Sequence, residues 1–204
     1  MHGKELPLRE KQKLATRRHI QEVAKALIAD LGYEKTTMRA LAREAGVGLG
    51  TISLHFKDKK SLLLASFHEE IGGVAERAIE SAPLDQHIRE QFLHIVLEMY
   101  KYYAANTKYL RPMVKEVLFA DGEWGQILDA QIFKYIGLLR VVLDSAKGRG
   151  ELRSNVDSMA MAQNIWAAYL YVLLGGLKQE TFVADAQLAR FEPLLDVIIT
   201  DATA

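Results

Sequence analysis

The sequence predicts an all-α protein in two parts: an N-terminal three-helix domain containing a helix-turn-helix, and a C-terminal helical bundle that forms a two-fold dimer. Three observations predict it. Apolar residues recur at three- and four-residue spacing along almost the whole chain, the period of helices with one buried face. Strand-like alternation is scarce, and only 4 of the 204 residues are proline. Near residue 46 two short helical segments meet through a glycine, as a helix-turn-helix requires.

The elements follow in order. The first helix covers Leu8 to Leu31, with the stripe Ile20, Val23, Ala24, Leu27, Ile28 and Leu31, and Gly32 ends it. The second follows Thr36-Thr37, either of which can cap it, and stops at Gly46. The third spans Leu49 to Phe56. The fourth starts after its cap Asp58 and runs to about Ser81, before Pro83. Longer helices follow: Leu84 to Ala105, Thr107 to Phe119 with a kink near Pro112, Trp124 to Ala146, Ser158 to Lys178 and Asp185 to Asp201. Asp121-Gly122 reads as a turn, and Lys147 to Asp157 as a polar loop.

Composition narrows the function classes. Half the residues are apolar and 25% are charged, which excludes disorder. A chain of this length buries roughly 70% of its unfolded surface without staples. The absence of cysteine excludes a disulfide scaffold, a Cys-ligated zinc site and a thiol nucleophile. The polar start, Met1 to Lys13, lacks a signal peptide's apolar core. Ile165 to Leu177 is uncharged for 13 residues, whereas a membrane span needs about 20. A cytoplasmic protein without membrane association is expected.

Thr37 to Phe56 (TMRALAREAGVGLGTISLHF) carries the function. Ala42 and Ala45 are small enough for the next helix to approach. Val47, Ile52 and Phe56 anchor that helix, so its outer face presents Leu49, Gly50, Thr51, Ser53, Leu54 and His55 to a major groove. The charge distribution agrees. The whole chain sums to zero, with 26 basic and 26 acidic residues, yet the first 65 residues hold 13 Lys+Arg against 7 Asp+Glu. Lys11, Lys13, Arg17, Arg18, Lys57, Lys59 and Lys60 lie where cations reach phosphates.

The runs Tyr33-x-x-Thr36-Thr37, Ala42-x-x-Ala45-Gly46-Val47 and Gly50-Thr51-Ile52-x-x-His55-Phe56-x-x-Lys59-x-x-Leu62 resemble the tetracycline-repressor-like (TetR) family of bacterial regulators over about residues 10 to 65. The resemblance implies a dimeric, ligand-responsive repressor. Its DNA-binding domain would be residues 1–58, and its ligand-binding and dimerisation domain residues 59–204. Thr37 would meet a phosphate. Gly48, Leu49, Gly50, Thr51 and Ser53 would lie in or beside the major groove of double-stranded DNA bearing a palindromic operator. His55 and Lys59 would grip the backbone. Leu49 departs from the polar or basic residue common there, and offers contact only to a thymine methyl or the backbone.

In the C-terminal part, Phe92, Met99, Tyr103, Met113, Phe119, Trp124, Phe133, Trp166 and Tyr169 are the candidate lining of a pocket for a small, mostly apolar effector. The alternatives are an architectural DNA-binding dimer without a ligand, and a metal-binding helical-bundle enzyme. The latter rests on His87, Gln91, His94 and Glu98, spaced along one helix face opposite Ile88, Phe92, Ile95 and Met99 and so expected to face water. No catalytic motif appears, and no cofactor or metal is expected. Tyr169, Leu173, Leu177, Phe191, Leu194, Leu195 and Ile198 form apolar stripes on the last two helices, more than one helix pair can hide, and are the expected homodimer interface.

Overall fold

The computed structural model describes residues 6–203, so the first five residues of the polar start lie outside it. Among the described residues the chain forms nine helices: α1 (Leu8–Leu31), α2 (Met38–Glu44), α3 (Leu49–His55), α4 (Lys59–Glu80), α5 (Ile88–Ala105), α6 (Thr107–Leu118), α7 (Gly122–Gly148), α8 (Ser158–Leu177) and α9 (Ala184–Thr200). The all-α expectation holds. The only β feature there is an isolated bridge between Leu152 and Thr203.

The chain divides into two compact units. The first holds the residues up to Phe67 together with Lys108–Phe119. Its core is Ile20, Ala24, Ile28, Leu41, Ala42, Ala45, Ile52, Phe56 and the run Leu62–Phe67. The division therefore differs from the expected one between residues 58 and 59. Tertiary contact is the reason. The start of α4 is buried, and α6 adds buried Tyr109, Leu110, Met113 and Val114. The Lys25 ammonium lies 5.6 Å from the Tyr109 ring centre, and Lys60 lies 3.9 Å from a Glu116 carboxylate oxygen. Pro112 sits inside α6 without ending it.

The second unit holds His68–Thr107 and the chain from Ala120 onward. Here α5 packs on α9 and α7, while α8 lies between α7 and α9. α8 is long and apolar enough to cross a bilayer, yet Met161, Ala162, Ile165, Tyr169, Val172, Leu173 and Leu177 are buried against its neighbours. The approach to α9 is close: a Cβ on Gly176 would stand 2.7 Å from Gln187 Cδ and from a Phe182 ring carbon. Across the α5–α9 contact, Arg89 donates to Asp196 Oδ1 at 2.6 Å and to Glu192 Oε1 at 2.5 Å.

One boundary moves by four residues. The fifth helix starts at Ile88, not Leu84, because the His87 ring caps it by accepting from Arg89 N, while Ile88 N donates to Glu151 Oε2 at 2.7 Å. The polar loop is also more ordered than its composition suggests. Leu152 is buried, and Arg153 N donates to Ala202 O at 2.9 Å.

The expected dimer stripe needs correction. Tyr169, Leu173, Leu177, Phe191 and Leu195 are buried within the single chain, because α7 and α5 cover the inner faces of α8 and α9. Leu194 and Ile198 stay half-buried. Tyr171 and Val197, 68% and 67% exposed, face outward in their place.

Candidate nucleic-acid interface

The sequence builds the helix-turn-helix locally. The Thr37 hydroxyl oxygen accepts from Ala40 N at 3.1 Å and caps α2, satisfying one of the unpaired N–H groups of a helix start. Gly46 then turns the chain at φ +65°, a backbone state costly for residues with a Cβ. Val47 N donates to Ala42 O at 3.0 Å and closes the turn. Ala42, Ala45, Ile52 and Phe56 are buried and fix α3 on the core.

The outward side carries the residues expected to face DNA. Thr37, Gly48, Leu49, Gly50 and Ser53 are exposed, and Thr51 is half-buried. Capping uses a lone pair of Thr37, so its hydroxyl hydrogen remains to donate to a phosphate. The Ser53 hydroxyl instead donates back to Leu49 O at 3.1 Å. His55 is half-buried. Burial, then Arg17 and Lys13, hold its pKa below the ordinary imidazole value, so near neutral pH it is an uncharged N–H donor.

Two expected cations serve the scaffold instead. Lys59, expected to grip the DNA backbone, donates to Tyr33 O at 2.6 Å, its ammonium 4.0 Å from that residue's ring centre. It fastens the α1–α2 connection, a role set by tertiary contact alone. Arg17 stands 4.5 Å over the Phe56 ring and donates to His55 O at 3.2 Å, tying α1 to the end of α3. Arg18, Arg39, Arg43 and Lys57 are exposed. Asp58 caps α4, and the bond it accepts from Ser61 N at 2.7 Å holds its carboxyl below the usual range.

The candidate pocket lining does not converge. Phe92, Met99, Tyr103 and Tyr169 are buried in the second unit, and Trp166 stacks obliquely 5.4 Å from Tyr169. Met113 lies in the core of the first unit. Phe119 and Phe133 are 79% and 69% exposed. Phe119 follows the end of α6, and Phe133 sits on the side of α7 away from Leu128, Gln131, Tyr135 and Ile136. Trp124 is half-buried.

A different set lines a cleft of about 590 Å³ in the second unit: His68, Gly72, Gly73, Gln131, Lys134 and Tyr135 with Glu69, Glu76, Ile127 and Ala130. Gln131 Nε2 donates to His68 O and to the Tyr135 hydroxyl, both at 2.8 Å. Gly72 leaves room for them, since a Cβ there would stand 3.2 Å from the Tyr135 oxygen. The pair Gly72-Gly73 inside a helix was the available signal in the sequence.

The helix face weighed as an alternative metal site separates. Gln91 is buried rather than facing water and donates to Gln86 O. His94 bonds Ser81, and Glu98 pairs with Lys101. Among the described residues no group of three or more His, Cys, Asp or Glu is placed to hold a metal.

A short capped helix, a glycine turn and a second short helix whose outward face lies among cations define a helix-turn-helix DNA-binding domain. Comparison with known proteins agrees. Residues 20–66 match the family model described as bacterial regulatory proteins, tetR family, and the chain is a DNA-binding transcriptional regulator. It is 26% identical over 156 residues to the fatty acid metabolism regulator protein of Bacillus subtilis, spanning 76% of this chain and 80% of that one. Its fold matches the crystal structure of the regulator FadR from Bacillus subtilis in complex with stearoyl-CoA, with a TM-score of 0.72, 22% identity and coverage of 90% and 97% of the two chains. It also matches FadR from Bacillus halodurans, with a TM-score of 0.68, 23% identity and coverage of 89% and 97%. These relatives are regulators.

Proposed function

We propose that the chain is a cytoplasmic, homodimeric repressor that binds a palindromic operator and is released by a long-chain acyl thioester. The observation that carries the effector class is the likeness over 76% of the chain, well beyond the DNA-binding motif, to a fatty acid metabolism regulator. The FadR structure of the same fold holds stearoyl-CoA. The cleft beside Gln131, Tyr135 and Lys134 supports a small-molecule site, being within the roughly 300–1,000 Å³ of such sites.

Two-fold pairing is supported by the outward apolar side of α8 and α9, where Tyr171, Val197, Leu174, Leu194 and Ile198 are left wholly or partly uncovered. Pairing of that kind places the two heads on half-sites about 34–36 Å apart. Thr37, Gly48, Leu49, Gly50, Thr51, Ser53 and His55 then face the operator. Release requires that the effector bind the operator-incompetent conformation more tightly than the competent one.

The test uses the full chain on an operator selected from random duplex DNA. Stearoyl-CoA should weaken binding at least tenfold, while free CoA leaves it unchanged. Operator binding that no acyl thioester of any chain length relieves would remove the effector reading and leave an architectural DNA-binding dimer.

A further inference from the structure

The outward face of α3 exposes two leucines beside its polar residues. Leu54 is 83% exposed, the most exposed large apolar side chain among the described residues, and Leu49 is 43% exposed. Ser53, between them on the helix, has its hydroxyl hydrogen committed to Leu49 O. Gly50 stands one turn before Leu54 and so shares its side of the helix. A Cβ at Gly50 would meet nothing within 4 Å, so the strip Gly50–Leu54 is an open, smooth notch ending in a leucine.

Water is a poor final environment for this strip. Exposed Arg39 and Arg43 on α2, and Lys57 just past α3, supply charge that a polyanion matches. In a major groove an aliphatic side chain can distinguish base pairs at one place, the thymine 5-methyl group. The absence of a side chain at Gly50 lets the helix sit close enough for a side chain one turn on to reach base edges.

We propose that Leu54 is a specificity determinant that reads a thymine through its methyl group, with Gly50 providing the close approach. This rests on the DNA-binding reading above. The leucine packs on the methyl and excludes water from it, so sequence is read there by apolar contact rather than by a hydrogen-bonded pair.

The experiment takes the full chain and an operator selected from random duplex DNA. Each thymine is replaced in turn by deoxyuridine, which removes only the methyl group. For the parent chain, one thymine per half-site should show an affinity loss of about threefold to fivefold, the scale of one lost apolar carbon contact. Leu54→Ala should bind the two operators equally, with the parent's melting temperature, since Leu54 is exposed. Gly50→Ala should keep the melting temperature and lose at least tenfold in operator affinity.

A parent chain indifferent to every thymine methyl would overturn the proposal. So would a methyl effect that persists unchanged in Leu54→Ala, or loss of self-association in Leu54→Ala without any change in methyl discrimination. A random library that yields no enriched sequence would instead overturn the DNA-binding reading itself, and is a distinct result.

Discussion

The two units solve different problems with the same secondary structure. The first uses helices of seven residues, α2 and α3, that could not persist alone. It holds them by a threonine cap and a left-handed glycine, both local, and by the tertiary contact of Arg17 over the Phe56 ring. The second uses helices of 17 to 27 residues whose apolar faces pack on one another. Devices of the first kind bind particular residue types to particular positions. Packing of the second kind needs only apolar residues of suitable size, and leaves little imprint on any one position.

The sharpest way to break this contrast is at Phe56. It is 3% exposed and is both the anchor of α3 and the ring beneath Arg17. Phe56→Ala should cost about 3–5 kcal/mol and abolish operator binding, seen as a lower urea midpoint together with lost gel retardation. Retained operator affinity would mean that α3 is positioned by something other than this anchor.

In the second unit the comparable site is Gly176. Gly176→Ala must displace Gln187 or Phe182, and overpacking of this sort costs about 1–3 kcal/mol. A thermal melt should register the loss. An unchanged melting temperature would show that α8 and α9 can separate freely and that their contact is looser than described.

Thr37→Ala removes a cap, with an expected cost of about 1 kcal/mol. It should also weaken operator binding by a similar factor at every salt concentration, because a neutral hydroxyl displaces no counterion. Lys59→Ala should leave the salt slope of operator binding unchanged, because its ammonium is held by Tyr33. A slope reduced by about one contact in Lys59→Ala would return that residue to the DNA backbone.

The smallest effect is expected at Arg89, whose partners are partly exposed. Allowing for solvent screening, Arg89→Ala should cost less than about 1 kcal/mol near neutral pH. Hydrogen bonding to Arg89 holds the Asp196 carboxyl below its ordinary value. A depressed folded-state pKa gives stability that is complete above the unfolded value of about 3.9 and is lost as pH falls through the folded one. The parent and the variant should therefore converge in urea midpoint as pH falls through the lowered Asp196 value. A gap that widens on acidification would refute the assignment.

What was legible follows from these differences. The caps at Thr37 and Asp58, the turn at Gly46 and the ends of α1 could be read because each depends on residues within one or two turns. The Lys59–Tyr33 bond, 26 residues apart in sequence, left no local trace. Phe133 looked like a pocket residue because its identity says nothing of which side of α7 its neighbours cover. The cleft residue Gln131 carries no local signal, since its partners His68 and Tyr135 meet it only in the fold.

The sequence by itself therefore determined the helical class, most helix boundaries, the helix-turn-helix and the concentration of positive charge around it. Periodicity, capping and turn conformation act over a few residues, and composition is additive. Tertiary structure alone decided that α6 belongs with the DNA-binding helices, that most of the expected dimer stripe is buried within its own chain, and that Lys59 serves the scaffold. Each of these depends on which apolar faces meet, a choice made by the summed shape of several helices rather than by any one of them.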